Sequence, residues 1–515
     1  MQKDKTAEFG KWRAFFWPVH RWELKKFLPM LFMFFLISFN YNALRACKDS
    51  LVVTAPQSGA EALPFIKVWA ILPAAFLLTF LFTRLANRFS REKVFYVMMC
   101  IFIGFFLIFT FALFPAQEIL HPTSLADKLQ AMLPEGFKGF IAMFRNWTFT
   151  LFYVMAELWG TAILTVLFWG FANDVTNVGE ARRYYGILMI GANIAGILSG
   201  QASVYLSNHV FIPSLPYGKT SWDQSMLFLN CMIIISGILT IAIFRWLNRH
   251  VIRPSEKTRP EPEKIKMSMR KNFAYLMKSK YLICIALIVL TYNIAINLIE
   301  VVWKNQIKQL YPSAGDYNAY MGEVMTLMGV IATITSIFIT GNLIRRCSWT
   351  FSALVPAVIT FLTGAAFFIF VLFPNSGLTW IGTIFGFTPL VMSVALGSMQ
   401  NCLSRASKYT LFDATKEIAF IPLSNESKLK GKAAIDGVGS RLGKSGGSVI
   451  HQSLLILFAT VGASTPYVAA IFLIVVLVWI LSVSALGKQF DALVQDKTQL
   501  EIPDKPILVK DTPVS

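Results

Sequence analysis

Apolar residues run through this chain in long windows, broken by short polar connections, and not in the strict alternation that marks a half-buried strand. Two stretches contain no Asp, Glu, Lys or Arg at all: Ser348 to Ser404, 57 residues, and Ser445 to Gly487, 43 residues. About 20 apolar residues cross a bilayer as a helix, so each stretch has room for two spans. Reading every apolar window against its polar flanks gives twelve expected helices. They lie near 27–47, 64–83, 94–114, 145–170, 185–207 and 225–247, then 281–303, 321–343, 349–373, 377–401, 440–463 and 466–486. Polar residues interrupt the fourth and eleventh. The expected fold is therefore an all-α polytopic membrane protein with twelve transmembrane helices in two six-helix halves. A segment 1–26 precedes the first half (27–247), a linker 248–280 carrying Pro254, Pro260 and Pro262 joins it to the second (281–486), and a tail 487–515 follows.

Composition agrees with that pattern and removes the alternatives. Only 15% of residues are charged and 55% are hydrophobic, whereas a soluble domain carries roughly 25% charged residues. A net charge of +19 would suggest nucleic acid on a soluble protein, but here the basic residues lie in the connections, where membrane topology places them. With the N-terminus cytoplasmic, the inside connections hold Arg84, Arg88, Arg91 and Lys93, then Arg182 and Arg183, the linker with ten Lys or Arg against three Glu, and Arg345 with Arg346. The connections expected outside, at 115–138, 374–376 and 462–466, are balanced or uncharged, and both termini are then cytoplasmic. The tail is an exception, with four Lys and five acids. Six cysteines without CxxC spacing argue against a zinc site or a disulfide framework. The first 26 residues show neither a cleavable signal nor an acid-poor transit peptide. Two short echoes support the halves: Tyr41-Asn42 before Asp49 matches Tyr292-Asn293 before Glu300 at an offset of 251, and Asp174-x-Thr176 resembles Asp413-x-Thr415. Parallel six-helix repeats of this kind build many transporters.

Inside a bilayer, ionisable side chains cost a few kcal/mol or more each, so they are the informative residues. Lys67, Glu157, Glu300 and Lys444 fall in or at the expected spans. Glu157 has apolar neighbours on both sides for a turn, and reads either as a functional carboxylate or as one paired inside the bundle. Lys67 and Glu300 lie near span ends, where snorkelling to the interface is the alternative. Lys444 sits in Gly437-Val-Gly-Ser-Arg-Leu-Gly-Lys-Ser-Gly-Gly447, but a phosphate loop needs glycine where Val438 stands, and no strand precedes it. A P-loop ATPase is rejected. What remains is a lysine at a glycine-rich helix start, or a helix-packing face through Gly443 and Gly447 at GxxxG spacing. Asn193 is an interhelical hydrogen bonder or a ligand contact, and Arg182-Arg183-Tyr184-Tyr185 reads as an interfacial anchor. Five scattered histidines offer no metal or nucleophile constellation, and no cofactor is implied. Lysines in the core would suit an anionic substrate, with carboxylates to pair them when it leaves.

The segment from Lys48 to Trp69, KDSLVVTAPQSGAEALPFIKVW, resembles the signature of the nucleotide transporter family of ATP/ADP translocases found in plastid envelopes and in chlamydiae and rickettsiae. Ala156-Glu-Leu-Trp-Gly160, Phe168-Trp-Gly-Phe-Ala-Asn-Asp174 and Gly439-Ser-Arg-Leu-Gly-Lys-Ser-Gly-Gly447 extend the resemblance across nearly the whole membrane region. It implies a major-facilitator-like fold and exchange of external ATP for internal ADP and phosphate. It implies substrate roles for Lys67, Glu157, Glu300 and Lys444 and matches Asn193 to a membrane asparagine tied to substrate handling; apart from the resemblance, Arg183 is expected to help from the cytoplasmic side. The lack of a long transit peptide points to the inner membrane of an obligate intracellular bacterium, and two halves in one chain to a monomer. The rival readings are a proton-coupled nucleotide importer and, in another class, a membrane enzyme or ATP-hydrolysing pump.

Overall fold

The computed structural model describes residues 13, 17–252, 279–339, 347–374, 386–423, 431, 435 and 440–501. Most of the expected linker, Arg345, Arg346 and the ends of the chain lie outside them. The first half consists of α1 (Leu24–Val53), α2 (Ala62–Arg88), α3 (Arg91–Leu113), α4 (Trp147–Val175), α5 (Val178–His209) and α6 (Ser221–His250). The second consists of α7 (Lys280–Leu310), α8 (Ala314–Phe338), α9 (Trp349–Leu372), α10 (389–419), α11 (Ser440–Phe458) and α12 (Val461–Glu501). Among the described residues ten helices are long and apolar enough to cross a membrane. The two other expected spans fall on α10, whose second half is charged, and on α11, whose apolar part is short.

Helices outrun the hydropathy windows because the chain stays helical past the first charge. Thus α1 continues six residues beyond its expected end to Val53, and α7 seven residues to Leu310. The largest correction concerns α10, expected at 377–401. Residues 377–385 lie outside the described ones; the described helix starts at Pro389, after Gly386 at φ +70, and runs through Arg405, Lys408, Asp413 and Lys416 to Ala419. Local chemistry sets the starts. Ser279, Ser313, Ser348 and Thr388 each accept a hydrogen bond from the backbone N–H three residues on, capping α7 to α10. Such a cap satisfies one of the orphan amides of a helix N-terminus. Asn177 and Glu180 form a reciprocal capping box at α5, which fixes its first turn.

Alternate crossings give the bundle a basic end, carrying Arg84, Arg88, Arg91 and Arg249, and a far end. The halves meet chiefly where α5 packs along α8. A Cβ on Gly200 would lie 2.4 Å from the Gly322 carbonyl oxygen, and one on Gly322 would lie 2.6 Å from that of Gly200. Only hydrogen at both positions lets these backbones touch, the usual route to tight helix pairs in lipid. The α11 face expected from GxxxG spacing packs likewise: Cβ atoms on Gly443 and Gly447 would lie 2.8 and 2.9 Å from the Cβ atoms of Asn293 and Asn297 on α7. The far end is further covered by 117–145, whose Gly136 lies against the backbone of Ile456 on α11.

Candidate functional site

A cavity of about 490 Å³ lies between the halves, lined by α1, α2, α4, α7, α10 and Ser445 at the start of α11. That volume is in the range of ligand pockets, about 300–1,000 Å³. Helical period explains who reaches it. Tyr41, Arg45 and Lys48 share one face of α1 at i, i+4 and i+7, as do Tyr153 and Glu157 on α4. On α10, Arg405, Lys408, Tyr409, Phe412, Asp413 and Lys416 continue one stripe towards the basic end. Six basic side chains and three carboxylates line the cavity: Arg45, Lys48, Lys67, Arg405, Lys408 and Lys416 against Glu157, Glu300 and Asp413.

Three of the six candidate residues from the sequence meet here. Lys67 Nζ lies 2.9 Å from Glu300 Oε2 and donates to Asn297 Oδ1 at 2.7 Å, which ties α2 to α7. Glu300 Oε1 is also 2.9 Å from Lys304 Nζ and 3.6 Å from Arg405 Nη2. Glu157, its side chain 40% exposed, is held 3.0 Å from Lys48 Nζ; Lys48 in turn lies over the Tyr153 ring at 3.8 Å. The snorkelling alternative for Lys67 and Glu300 thus gives way to pairing across the halves. Lys444 lies on α11 beside cavity-lining Ser445, and its side chain lies outside the described ones. Asn193 and Arg183 are placed elsewhere. Asn193 sits half-buried at the α5–α8 seam, its carbonyl oxygen 2.8 Å from where a Cβ on Gly329 would be. Arg183 binds Glu23 at the basic end, with Nη1 donating to Oε2 at 2.9 Å.

The sequence reading missed Arg45, Lys48, Asp49, Lys304, Arg405 and Lys408. Lys304 Nζ lies 2.8 Å from Asp49 Oδ2, and both side chains are 1% exposed. Asp49 and Glu300, the two acids of the internal repeat, therefore share one lysine. A signal was present: Lys304 follows Glu300 by four, and Lys408 follows Arg405 by three, spacings that put charges on one helix face. Beyond this buried network, Lys308 donates to the Ser58 carbonyl and Ser50 Oγ to Asn318 Oδ1 at 3.2 Å, both links crossing the halves at the far end. At the basic end the pairs Lys26–Glu180, Arg91–Asp174, Arg183–Glu23 and Lys408–Asp413 each stay within one half. Aromatic groups complete the walls. Tyr292 and Phe412 pack on each other and on Trp479, whereas Tyr409 is 49% exposed with Lys408 Nζ 4.7 Å from its centroid.

A family model described as "TLC ATP/ADP transporter" matches residues 2–490. The "ADP,ATP carrier protein 1" of Chlamydia trachomatis is 46% identical over 503 residues, 96% of this chain and 94% of that protein. The chloroplastic "ADP,ATP carrier protein 1" of Arabidopsis thaliana is 41% identical over 470 residues, 91% of this chain and 74% of that protein. Among solved structures, a bacterial homologue of the iron transporter ferroportin, in an inward-facing state, superposes with a TM-score of 0.51 at 14% identity, covering 92% of this chain and 99% of that one. A POT family transporter gives a TM-score of 0.53 at 10% identity over 90% of this chain and 96% of that one. These likenesses show a major-facilitator-like fold. The sequence matches go further: the chain belongs to the TLC ATP/ADP transporter family, and is a transporter rather than an enzyme.

Proposed function

We propose that the protein imports ATP in exchange for ADP, with phosphate as an accompanying substrate, by alternating access in the inner membrane of an intracellular bacterium. The basic end is cytoplasmic and so are both termini. One observation carries this reading: a cavity between the halves, lined by six basic side chains and three carboxylates, an excess of positive charge that suits a polyphosphate. Lys67 and Lys444 hold phosphate, and Glu300 and Glu157 take the lysines when nucleotide leaves. Phosphate then competes with Glu300 for Lys67, which loosens a link between the halves and favours reorientation. A carrier without nucleotide keeps the Lys67–Glu300 link closed across the halves, which disfavours a one-way cycle. Tyr409, with one face open, stacks the adenine. Asn193 and Arg183 meet nucleotide only as α5 turns towards the cavity during the cycle.

The test is uptake of ATP labelled in adenine and γ-phosphate into liposomes, preloaded with ADP or empty. Intact ATP should enter only the ADP-loaded vesicles. Equal uptake without internal nucleotide, collapsing with the proton gradient, would establish proton-coupled import instead. Lys67→Ala and Lys444→Ala should each cut ATP uptake at least about tenfold, the loss of one charge-assisted contact; unchanged uptake and affinity would remove both lysines from the site.

A further inference from the structure

Arg45 stands apart from the other basic groups of the cavity. Lys48 has Glu157 at 3.0 Å, Lys67 has Glu300 at 2.9 Å, Lys408 has Asp413 at 3.3 Å and Lys416 has Glu417 at 3.6 Å. Arg45 is 6% exposed, lines the same cavity, and takes part in none of the ion pairs among the described residues. Its guanidinium opens onto the cavity with no carboxylate in ion-pair reach among the described residues, where an incoming anion can meet it. Arg405, from the opposite half, is nearly as poorly compensated. Its carboxylate, Glu300, stands 3.6 Å away and serves Lys67 and Lys304 at 2.9 Å each, so one negative charge is shared by three cations. Arg405 Nε donates to Asn401 Oδ1 at 2.9 Å, one turn back on its own helix. Arg45 on α1 and Arg405 on α10 thus line one cavity from opposite halves.

We propose that Arg45 and Arg405 form an anion clamp across the two halves that holds the β-phosphate of the nucleotide. Two planar forks suit a phosphate oxygen pair better than lysine point charges do. The clamp rests on the transport reading above and gives it a division of labour. The arginines recognise a diphosphate, and Lys67, already satisfied by Glu300 and Asn297, is the latch that the bound phosphate releases. A nucleoside monophosphate would reach Tyr409 but leave the clamp unfilled, so the clamp sets the preference for di- and triphosphates over AMP.

The test measures binding of ADP, AMP and inorganic pyrophosphate to the purified full chain, by calorimetry, for wild type, Arg45→Gln, Arg45→Lys and Arg405→Gln. Arg45→Gln and Arg405→Gln should each weaken ADP and pyrophosphate at least about tenfold while leaving AMP unchanged, and Arg45→Lys should recover part of the loss. A merely structural arginine would not move the ADP-to-AMP ratio. Arg45→Gln breaks no ion pair, so it carries the test if Arg405→Gln, which frees Glu300, lowers the melting temperature. Wild-type ADP binding with an unchanged ratio in Arg45→Gln would overturn the clamp and leave the transport reading standing. Arginine-dependent binding of pyrophosphate without any binding of ADP would keep the clamp and overturn the nucleotide. Binding of neither would overturn both.

Discussion

The two ends of the bundle are built differently, and α5 records the change along its length. At its basic end a Cβ on Gly186 would meet nothing within 4 Å; farther on, Gly191 lies against Leu31, Gly196 against Asn42, and Gly200 against the backbone of Gly322 in the other half. On α2 the far-end residues Ala62 to Ile66 are all buried, while Leu72 to Arg88 contains no buried residue. Charge follows the same gradient. Asp49 and Lys304 are 1% exposed and join opposite halves, but Arg91 and Asp174 are 63% and 35% exposed and belong to one. The far end is sealed by backbone contact and buried charge between halves, and at the basic end the ion pairs among the described residues each stay within one half. Motion of the halves at the basic end therefore breaks little, and opening the far end must dismantle the Lys67–Glu300 and Lys304–Asp49 links together.

The largest expected effect comes from removing one partner of the most buried pair. Lys304→Ala leaves the Asp49 carboxylate in the core with only Lys48 at 3.7 Å and should cost about 3–5 kcal/mol, and Asp49→Ala, which leaves Lys304 on the shared Glu300, should cost somewhat less. The double replacement Asp49→Leu with Lys304→Met should restore most of that stability, because no charge is left without a partner. It should still impair transport, since the far-end link is gone. Arg91→Ala, by contrast, should change stability by no more than about 1 kcal/mol. Thermal unfolding of the four purified variants in one detergent checks the ordering; comparable losses for Arg91→Ala and Asp49→Ala would erase the difference between the ends.

Next in size is the glycine contact. Gly200→Leu forces a side chain into the Gly322 carbonyl and should cost about 1–3 kcal/mol, the usual range for overpacking, while Gly186→Leu should stay within about 0.5 kcal/mol. A cysteine placed at Ser203, buried near Gly322, should become reactive to a water-soluble maleimide in Gly200→Leu and stay protected in Gly186→Leu. Protection in both would show that the seam tolerates the added volume and that the seal lies elsewhere.

Much of this architecture was legible in the sequence. The helical class, the two halves and the charged residues of the central spans follow from where apolar windows stop and charges intrude. The charged residues beside the seal were not legible, and for one reason: a hydropathy window ends at a charge, and these helices do not. Lys48, Asp49 and Lys304 lie one or two residues beyond the expected ends of α1 and α7, and Arg405 and Lys408 beyond that of α10, so a criterion built on lipid contact assigned them to water. Arg45 fell inside its window and was masked because no other charge stands in 27–47. Arg183 shows the converse. Its anchor reading describes its pairing with Glu23, and only motion of α5 would bring it to a substrate. No sequence pattern reports that Gly200 and Gly322 are opposite each other, since a contact across 122 residues is decided by how the halves dock.

The smallest predicted effect belongs to the cover that only the far end carries in the described residues. His121, in the connection between α3 and α4, has its ring nitrogen Nε2 2.6 Å from Thr148 Oγ1 and its ring edge-on to Phe149. Burial disfavours the imidazolium, so its pKa is lowered from the ordinary value, which is about 6.5. The sign follows from proton counting. In mildly acid solution the unfolded chain binds more protons at this site than the folded one, so stability rises with pH there. The contribution of neutral His121 is present above about pH 6.5 and is lost as the solution is acidified below it. Between pH 7.5 and 5 the melting temperature of wild type should fall more steeply than that of His121→Gln, because glutamine keeps a hydrogen bond to Thr148 without a proton to gain. Parallel curves would show that the cover already opens to water around His121. The contrast between the ends would then rest on the helices and their buried ion pairs, without help from the loop above them.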